Sequence, residues 1–259
     1  MNEFKQFKGL LFDLDGVLYI GKQPIDGAHE AITRIRNSHI QCRFVTNTST
    51  LSLASLSSKI KALGFYIPAD EIISAPQAAL HYLQKQGDPV CRLLLANDVK
   101  QDFADFRQSD TAAEYIVVGD IGNAWSYPML NEVFNCLVNG AKLIAIHKNR
   151  FWQTEHGLQM DIGGFIEALE YASGTKAMII GKPSADFFSA ALEDMQLKAS
   201  EVGMIGDDID SDVGGAQQAG LKGILVRTGK YRKSYADASP IKPDAVIDSI
   251  RDFPGLLGL

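Results

Sequence analysis

Two carboxylates, Asp13 and Asp15, stand one residue apart at the end of the apolar run Leu10-Leu11-Phe12, and Gly16 follows them. A short continuous apolar run reads as a strand buried in a parallel sheet, and ligands gather at the carboxyl ends of such strands. Carboxylates held that close repel each other unless a cation or a shared proton intervenes. The pair therefore asks for a metal, with one carboxylate able to attack and the other to move protons. Three further places in the chain carry matching groups. Thr46 and Asn47 follow a second apolar run, 42–45, and Lys182 lies in Gly181-Lys182-Pro183. Asp207, Asp208, Asp210 and Asp212 follow the apolar run 202–205. Magnesium prefers octahedral oxygen coordination and keeps several waters, so two or three such oxygens suffice to hold it. In phosphoryl transfer, catalysis is mostly positioning and charge stabilisation. Asp13 would attack phosphorus, and Asp15 would protonate the leaving oxygen and later deprotonate water. Asp207 would hold the metal against Asp13, with the backbone carbonyl of Asp15 contributing. The Thr46 hydroxyl and the Lys182 ammonium would bind phosphoryl oxygens.

Taken singly, each signal has a plainer reading. Asp and Gly are ordinary turn residues, Thr46 and Asn47 could each cap a helix, and Lys182 could be a solvated lysine. Four motifs in one chain favour the chemical reading. Asp208 and Asp210 read as turn or capping acids. Gly214, Gly215 and Gly220 lack dinucleotide-fingerprint spacing and are better explained by helix packing and a helix stop. His147, Lys148 and Arg150 form a basic group that is either a solvated loop or a substrate contact. As a substrate contact, Lys148 and Arg150 would favour substrates with anionic groups beyond a single phosphate. His156 reads as a turn residue. Trp125, Phe151 and Trp152 read as core aromatics, with lining of a substrate entrance as the alternative.

Positioning these residues requires a sheet. Strand-like runs at 10–12, 42–45, 92–96, 115–119, 142–146, 202–205, 223–226 and 245–247 alternate with helical spacing at 28–38, 53–63, 78–86, 128–138 and 165–171, the pattern of an α/β fold. The chemical motifs fall before residue 50 and after residue 180, and the middle carries none. The expected architecture is a Rossmann-like parallel-sheet core, 1–77 and 180–259, interrupted by an inserted α/β cap, 78–179.

Composition narrows the function classes. The 259 residues are 46% hydrophobic, enough for one large core or two modest ones. A formal charge of −6 argues against non-specific nucleic-acid binding. No apolar leader and no membrane-spanning run stand out. Cys42, Cys91 and Cys136 are odd in number and widely spaced, so they read as unpaired thiols, Cys42 and Cys136 as small core residues, in a reducing cytoplasm.

The four motifs, Asp-x-Asp-Gly, Thr-Asn, Gly-Lys-Pro and Gly-Asp-Asp-x-x-x-Asp, resemble in type and order those of the haloacid dehalogenase superfamily. The insertion between the second and third resembles the type IIA cap of the 4-nitrophenylphosphatase branch. Within it the chain resembles the haloacid dehalogenase-like hydrolase domain-containing protein two group and the phospholysine phosphohistidine inorganic pyrophosphate phosphatase group. Ala145-Ile146-His147-Lys148, Ala168-Leu169-Glu170-Tyr171-Ala172 and Thr228-Gly229-Lys230-Tyr231 add to that likeness. The resemblance implies a magnesium-dependent phosphatase of small phosphorylated compounds, working through an aspartyl phosphate and pairing as a homodimer through its cap. It implies nucleophile Asp13, acid/base Asp15, phosphate ligands Thr46, Asn47 and Lys182, and metal ligands Asp13, Asp15 and Asp207. Asp212 would act through a metal-bound water or by steadying Lys182. The acid at position 15 is typical of the superfamily's phosphatases and argues against carbon–halogen chemistry. Many such caps carry Asn-x-Asp where this chain has His147-Lys148-Asn149-Arg150. Two rivals stand beside this expectation: a phosphotransferase or mutase on the same scaffold, and a non-enzymatic phospho-accepting regulatory domain.

Overall fold

A computed structural model of the chain describes residues 3–154 and 157–259. The strands, in chain order, begin with β1 (Gly9–Asp13), β2 (Tyr19–Ile20), β3 (Gln23–Pro24), β4 (Gln41–Thr46) and β5 (Ile72–Ser74). Next come β6 (Cys91–Leu94), β7 (Tyr115–Val118), β8 (Lys142–Ala145), β9 (Phe151–Thr154), β10 (Gly157–Met160) and β11 (Met178–Ile179). The last are β12 (Val202–Gly206), β13 (Lys222–Val226) and β14 (Ala245–Ile247). The helices are α1 (Ala28–Asn37), α2 (Leu53–Ala62), α3 (Ala75–Lys85), α4 (Tyr127–Val138), α5 (Gly163–Ser173), α6 (Ala185–Met195), α7 (Gly215–Gln218), α8 (Lys233–Ala238) and α9 (Phe253–Leu257).

The chain divides into two compact units. The first comprises Met1–Thr46, Ser57–Ile73 and Lys182–Leu259. Its sheet has the order β14-β13-β12-β1-β4-β5, and β1 pairs in parallel with both β12 and β4. Leu10, Leu11 and Phe12 are wholly buried, which contributes on the order of 1.5–3 kcal/mol per side chain. That burial anchors β1 firmly enough to carry a crowded carboxylate pair at its end. From β1 the chain moves outward through β4 to β5, then returns to the other side of β1 at β12. β1 therefore borders the point where strand order reverses, where open α/β sheets bind ligands.

The second unit comprises Asn47–Leu56 and Ser74–Gly181. Its four-stranded sheet has the order β11-β8-β7-β6, parallel throughout, and β9 and β10 form a separate antiparallel pair. Its core gathers Leu94, Ile116, Val118, Leu143 and Ala145 from the strands with Val133, Leu137, Ile166 and Leu169 from α4 and α5. Ser126 caps α4, its hydroxyl accepting the Met129 N–H, and Pro128 occupies the first turn.

The α/β class is as expected. Against an insertion expected at 78–179, the second unit begins at Ser74 and also takes in Asn47–Leu56. The tie is polar: the Ser52 and Leu53 N–H groups donate to the carboxylates of Asp98 and Asp102, at 2.7 and 3.0 Å. These acids serve the first turn of α2, which has none of its own. The Ser52 N–H holds the Asp98 carboxyl below its ordinary value. The strands β2, β3, β5, β9, β10 and β11 and the helices α6 to α9 lie outside the expected elements. Strands of two to four residues are too short to show a period, and α6 starts immediately behind Pro183-Ser184, which reads as loop. His156 lies outside the described residues, as does the side chain of Trp152. No described helix is long and apolar enough to cross a membrane.

Candidate active site

Strand register brings the first carboxylates together. Phe12 pairs with Ile205, so Asp13 falls level with Gly206 and Asp207 lies one residue beyond. On the other side Asp13 pairs with Val45, so Thr46 ends β4 one residue further on. Asp13, Thr46, Lys182, Asp207 and Asp212 are all buried. The Lys182 ammonium donates to Asp13 Oδ1 and to Asp212 Oδ1, each at 2.6 Å. The Asp208 N–H donates to the other oxygen of Asp212 at 3.1 Å. Asp207 accepts the Lys230 N–H at 2.6 Å, and no side-chain cation pairs with it among the described residues.

Two glycines make this crowding feasible. Gly16 at φ +94° and Gly229 at φ +58° occupy the left-handed region, and a Cβ on either would stand 2.0 Å from Asp207 Oδ2. The two turns are tied by the Thr228 hydroxyl, which donates to the Gly16 carbonyl.

The electrostatics follow from burial and like charge. Burial raises Asp207 well above the ordinary carboxyl value, and Asp13 and Asp212 add to the rise. Burial likewise pushes Asp212 up to about 6, with Lys182 opposing and Asp13 reinforcing. Burial alone would depress Lys182, but the Asp13 and Asp212 charges hold it above its ordinary value. Asp15 keeps an exposed face, yet enough protein surrounds its carboxyl that desolvation raises it, with Lys59 the leading opposing charge. One oxygen from each of Asp13, Asp207 and Asp212 lies within 4.8 Å of the others. Three buried oxygens, one with no cationic partner, fit a hard divalent cation.

This arrangement has a measurable pH signature. Carboxyls raised in the folded chain hold protons more tightly than in the unfolded chain, so stability grows as pH falls through their folded values. For Asp212 that window runs from about 6 down toward the ordinary 3.8. In EDTA, Tm should therefore rise between about pH 7.5 and about pH 5.5, and a divalent cation should raise it at the upper end and flatten the slope. A flat EDTA profile, unchanged by added cation in differential scanning fluorimetry, would count against a loaded carboxylate cluster.

The other candidate residues have their own surroundings. Asn47 groups with the second unit, where its Oδ1 closes against Gly181 at 2.5 Å from the position of a Cβ. The Lys148 ammonium is engaged by Glu167 and Glu170 at 2.7 and 2.9 Å. Arg150 is exposed. Buried His147 has Nε2 3.5 Å from the Ser49 hydroxyl and Nδ1 3.9 Å from Asp161. Asp208 caps the next turn, accepting the Asp210 and Ser211 N–H groups, and Asp210 accepts the Tyr235 hydroxyl. Trp125 stacks on Phe165 with centroids 4.2 Å apart. Lys230 was missed as a site residue. Its ammonium lies 3.7 Å from Asp208 and its backbone serves Asp207. The only signal was a Thr-Gly-Lys turn after β13, a strand neighbouring β12.

A parallel α/β core with acidic strand ends at its switch point, plus a second α/β unit, defines the fold class. The chain superposes on 4-nitrophenylphosphatase from Thermotoga maritima with a TM-score of 0.91, covering 98% of this chain and 99% of that one at 23% identity. A family model described as haloacid dehalogenase-like hydrolase matches residues 10–107, and a HAD-hydrolase-like model matches 179–253. Haloacid dehalogenase-like hydrolase domain-containing protein 2 of Bos taurus is 43% identical over 92% of this chain and 90% of its own length. Phospholysine phosphohistidine inorganic pyrophosphate phosphatase of Homo sapiens is 38% identical over 96% and 94%. The chain belongs to the haloacid dehalogenase-like hydrolases, in their type IIA phosphatase branch.

Proposed function

We propose that the chain is a magnesium-dependent phosphatase of small phosphorylated compounds acting through an aspartyl phosphate on Asp13. The observation that carries this reading is the Lys182 ammonium, 2.6 Å from both Asp13 and Asp212. It holds the Asp13 carboxylate in place and offsets its repulsion of an anionic substrate. An Asp13 oxygen bonds to phosphorus as the bond from phosphorus to the leaving group breaks, and Asp15 gives the leaving oxygen a proton. Asp15 then takes a proton from water, whose oxygen bonds to phosphorus as the Asp13–phosphorus bond breaks, and phosphate departs. A carboxyl raised by desolvation suits the first of these roles. The Thr46 hydroxyl and the Lys182 ammonium steady the phosphoryl oxygens, with Asn47 as a further ligand. Asp13, Asp207, Asp212 and the Asp15 carbonyl would hold Mg2+, which when bound offsets charge on those oxygens.

The second unit would serve as a cap that limits water and restricts substrates. Arg150, exposed there, and Lys148, if released by Glu167 and Glu170, are its proposed substrate contacts. The same reading expects a cytoplasmic enzyme that pairs through this unit. Among similar proteins, one is named for phospholysine, phosphohistidine and inorganic pyrophosphate, so phosphoramidates and pyrophosphate belong in the test. Purified protein screened against phosphate esters, phosphoramidates and pyrophosphate should release phosphate only with Mg2+ and without an added acceptor. Release that requires a sugar or alcohol acceptor would instead identify a phosphotransferase.

A further inference from the structure

We propose that Lys59, held over the ring of Tyr19, forms a second anion site beside Asp15 that selects substrates whose leaving group carries its own negative charge. The proposal rests on the phosphatase reading and adds a specificity residue to it. Tyr19 is wholly buried, and its backbone belongs to the turn that carries Asp15. Its carbonyl accepts the Gly16 N–H at 2.7 Å, and its own N–H reaches back to Leu14. The ring is thus a fixed platform next to the acid/base.

The Lys59 ammonium, reaching over from α2, sits 4.4 Å from the centre of that ring. A cation over an aromatic face is held in place while its charge stays uncancelled. Lys59 is half-buried, and among the described residues it makes no ion pair, although the neighbouring strand ends carry several aspartates. Its charge still reaches Asp15, where it is the leading influence opposing desolvation. Lys182, by contrast, pairs with Asp13 and Asp212 at the phosphoryl end. The two lysines therefore divide the site. Lys182 serves the transferred group, and Lys59 lies on the side of Asp15, where the leaving oxygen must receive its proton. A preorganised, unpaired ammonium in that place fits a carboxylate or a second phosphoryl group on the leaving side.

The hydroxyl of Tyr19 is buried without a hydrogen-bond partner. It is therefore the ring, not the hydroxyl, that holds Lys59. Tyr19→Phe should preserve the site, whereas Tyr19→Leu should weaken it in the direction of Lys59→Met.

The test compares three substrates across wild type, Lys59→Met, Lys59→Arg and the two Tyr19 variants. Phenyl phosphate has no charge beyond its phosphate, phospholactate adds a carboxylate, and pyrophosphate adds a phosphoryl group. Lys59→Met should raise KM for phospholactate, pyrophosphate or both about tenfold more than for phenyl phosphate, with kcat moving little, and Lys59→Arg should restore the wild-type ratio. Which charged substrate responds identifies the anion. Calorimetric binding of pyrophosphate to Asp13→Asn protein, with and without Lys59→Met, gives a readout that needs no turnover, and a roughly tenfold weakening is expected. Equal KM changes for all three substrates would overturn the proposal, as would unchanged pyrophosphate affinity without a selective rise in the phospholactate KM. Wild-type protein that hydrolyses none of the three would instead refute the phosphatase reading, and the binding comparison would still judge Lys59.

Discussion

Asp13→Asn is expected to lower kcat by about three orders of magnitude or more while the protein stays folded. The amide keeps the shape of the carboxylate but cannot form the acyl phosphate. Stability should hold, because Asp13 is one of the charges that raise both Asp207 and Asp212. Removing it relieves that crowding, and Lys182 keeps its contact with Asp212. Steady-state turnover, Tm and mass-spectrometric trapping of the phosphoenzyme together check the result. A purified variant that retains more than about one per cent of wild-type turnover, well above the expected loss, would remove Asp13 from the nucleophile role.

Lys182→Met should damage both activity and stability. The ammonium is buried between two carboxylates at 2.6 Å, so its removal leaves Asp13 and Asp212 facing each other uncompensated. Breaking a buried pair in this way costs about 3–5 kcal/mol, measurable as a fall in the denaturant midpoint. Adding Asp212→Asn to this variant removes one of the stranded charges. It should recover part of the stability, a coupling of about 0.5–3 kcal/mol, without recovering turnover, because the cation that steadies the phosphoryl group stays missing. A loss below about 1 kcal/mol in the single variant, within the range of exposed ion pairs, would mean that Lys182 is not the keystone of this cluster.

Much of the molecule is legible in the sequence. The run Leu10-Leu11-Phe12 is apolar on both faces, and β1 is buried along its whole length. Pro128 and Asn139-Gly140 bracket α4 as capping chemistry requires. The residue types at the strand ends named a phosphoryl group and a hard cation, and the register of β1 with β12 and β4 brings Asp13, Asp207 and Thr46 to one edge.

Other features depend on partners distant in sequence. Lys148 reads as part of a solvated loop or as a substrate contact, but its ammonium donates to Glu170, 22 residues further on. The first turn of α2 is served by Asp98 and Asp102, more than 45 positions away. Gly229 and Lys230 acquire significance only because their turn folds back onto Asp207, and Lys59 because α2 carries it over Tyr19. Hydrophobic period and side-chain chemistry are properties of neighbours along the chain, so the main sheet strands, the helices α1 to α5 and the reactive residue types were set by sequence alone. Which charge meets which carboxylate, and which ammonium is left uncancelled, is settled by pairings that form only when the sheet closes, and that was decided by the tertiary structure.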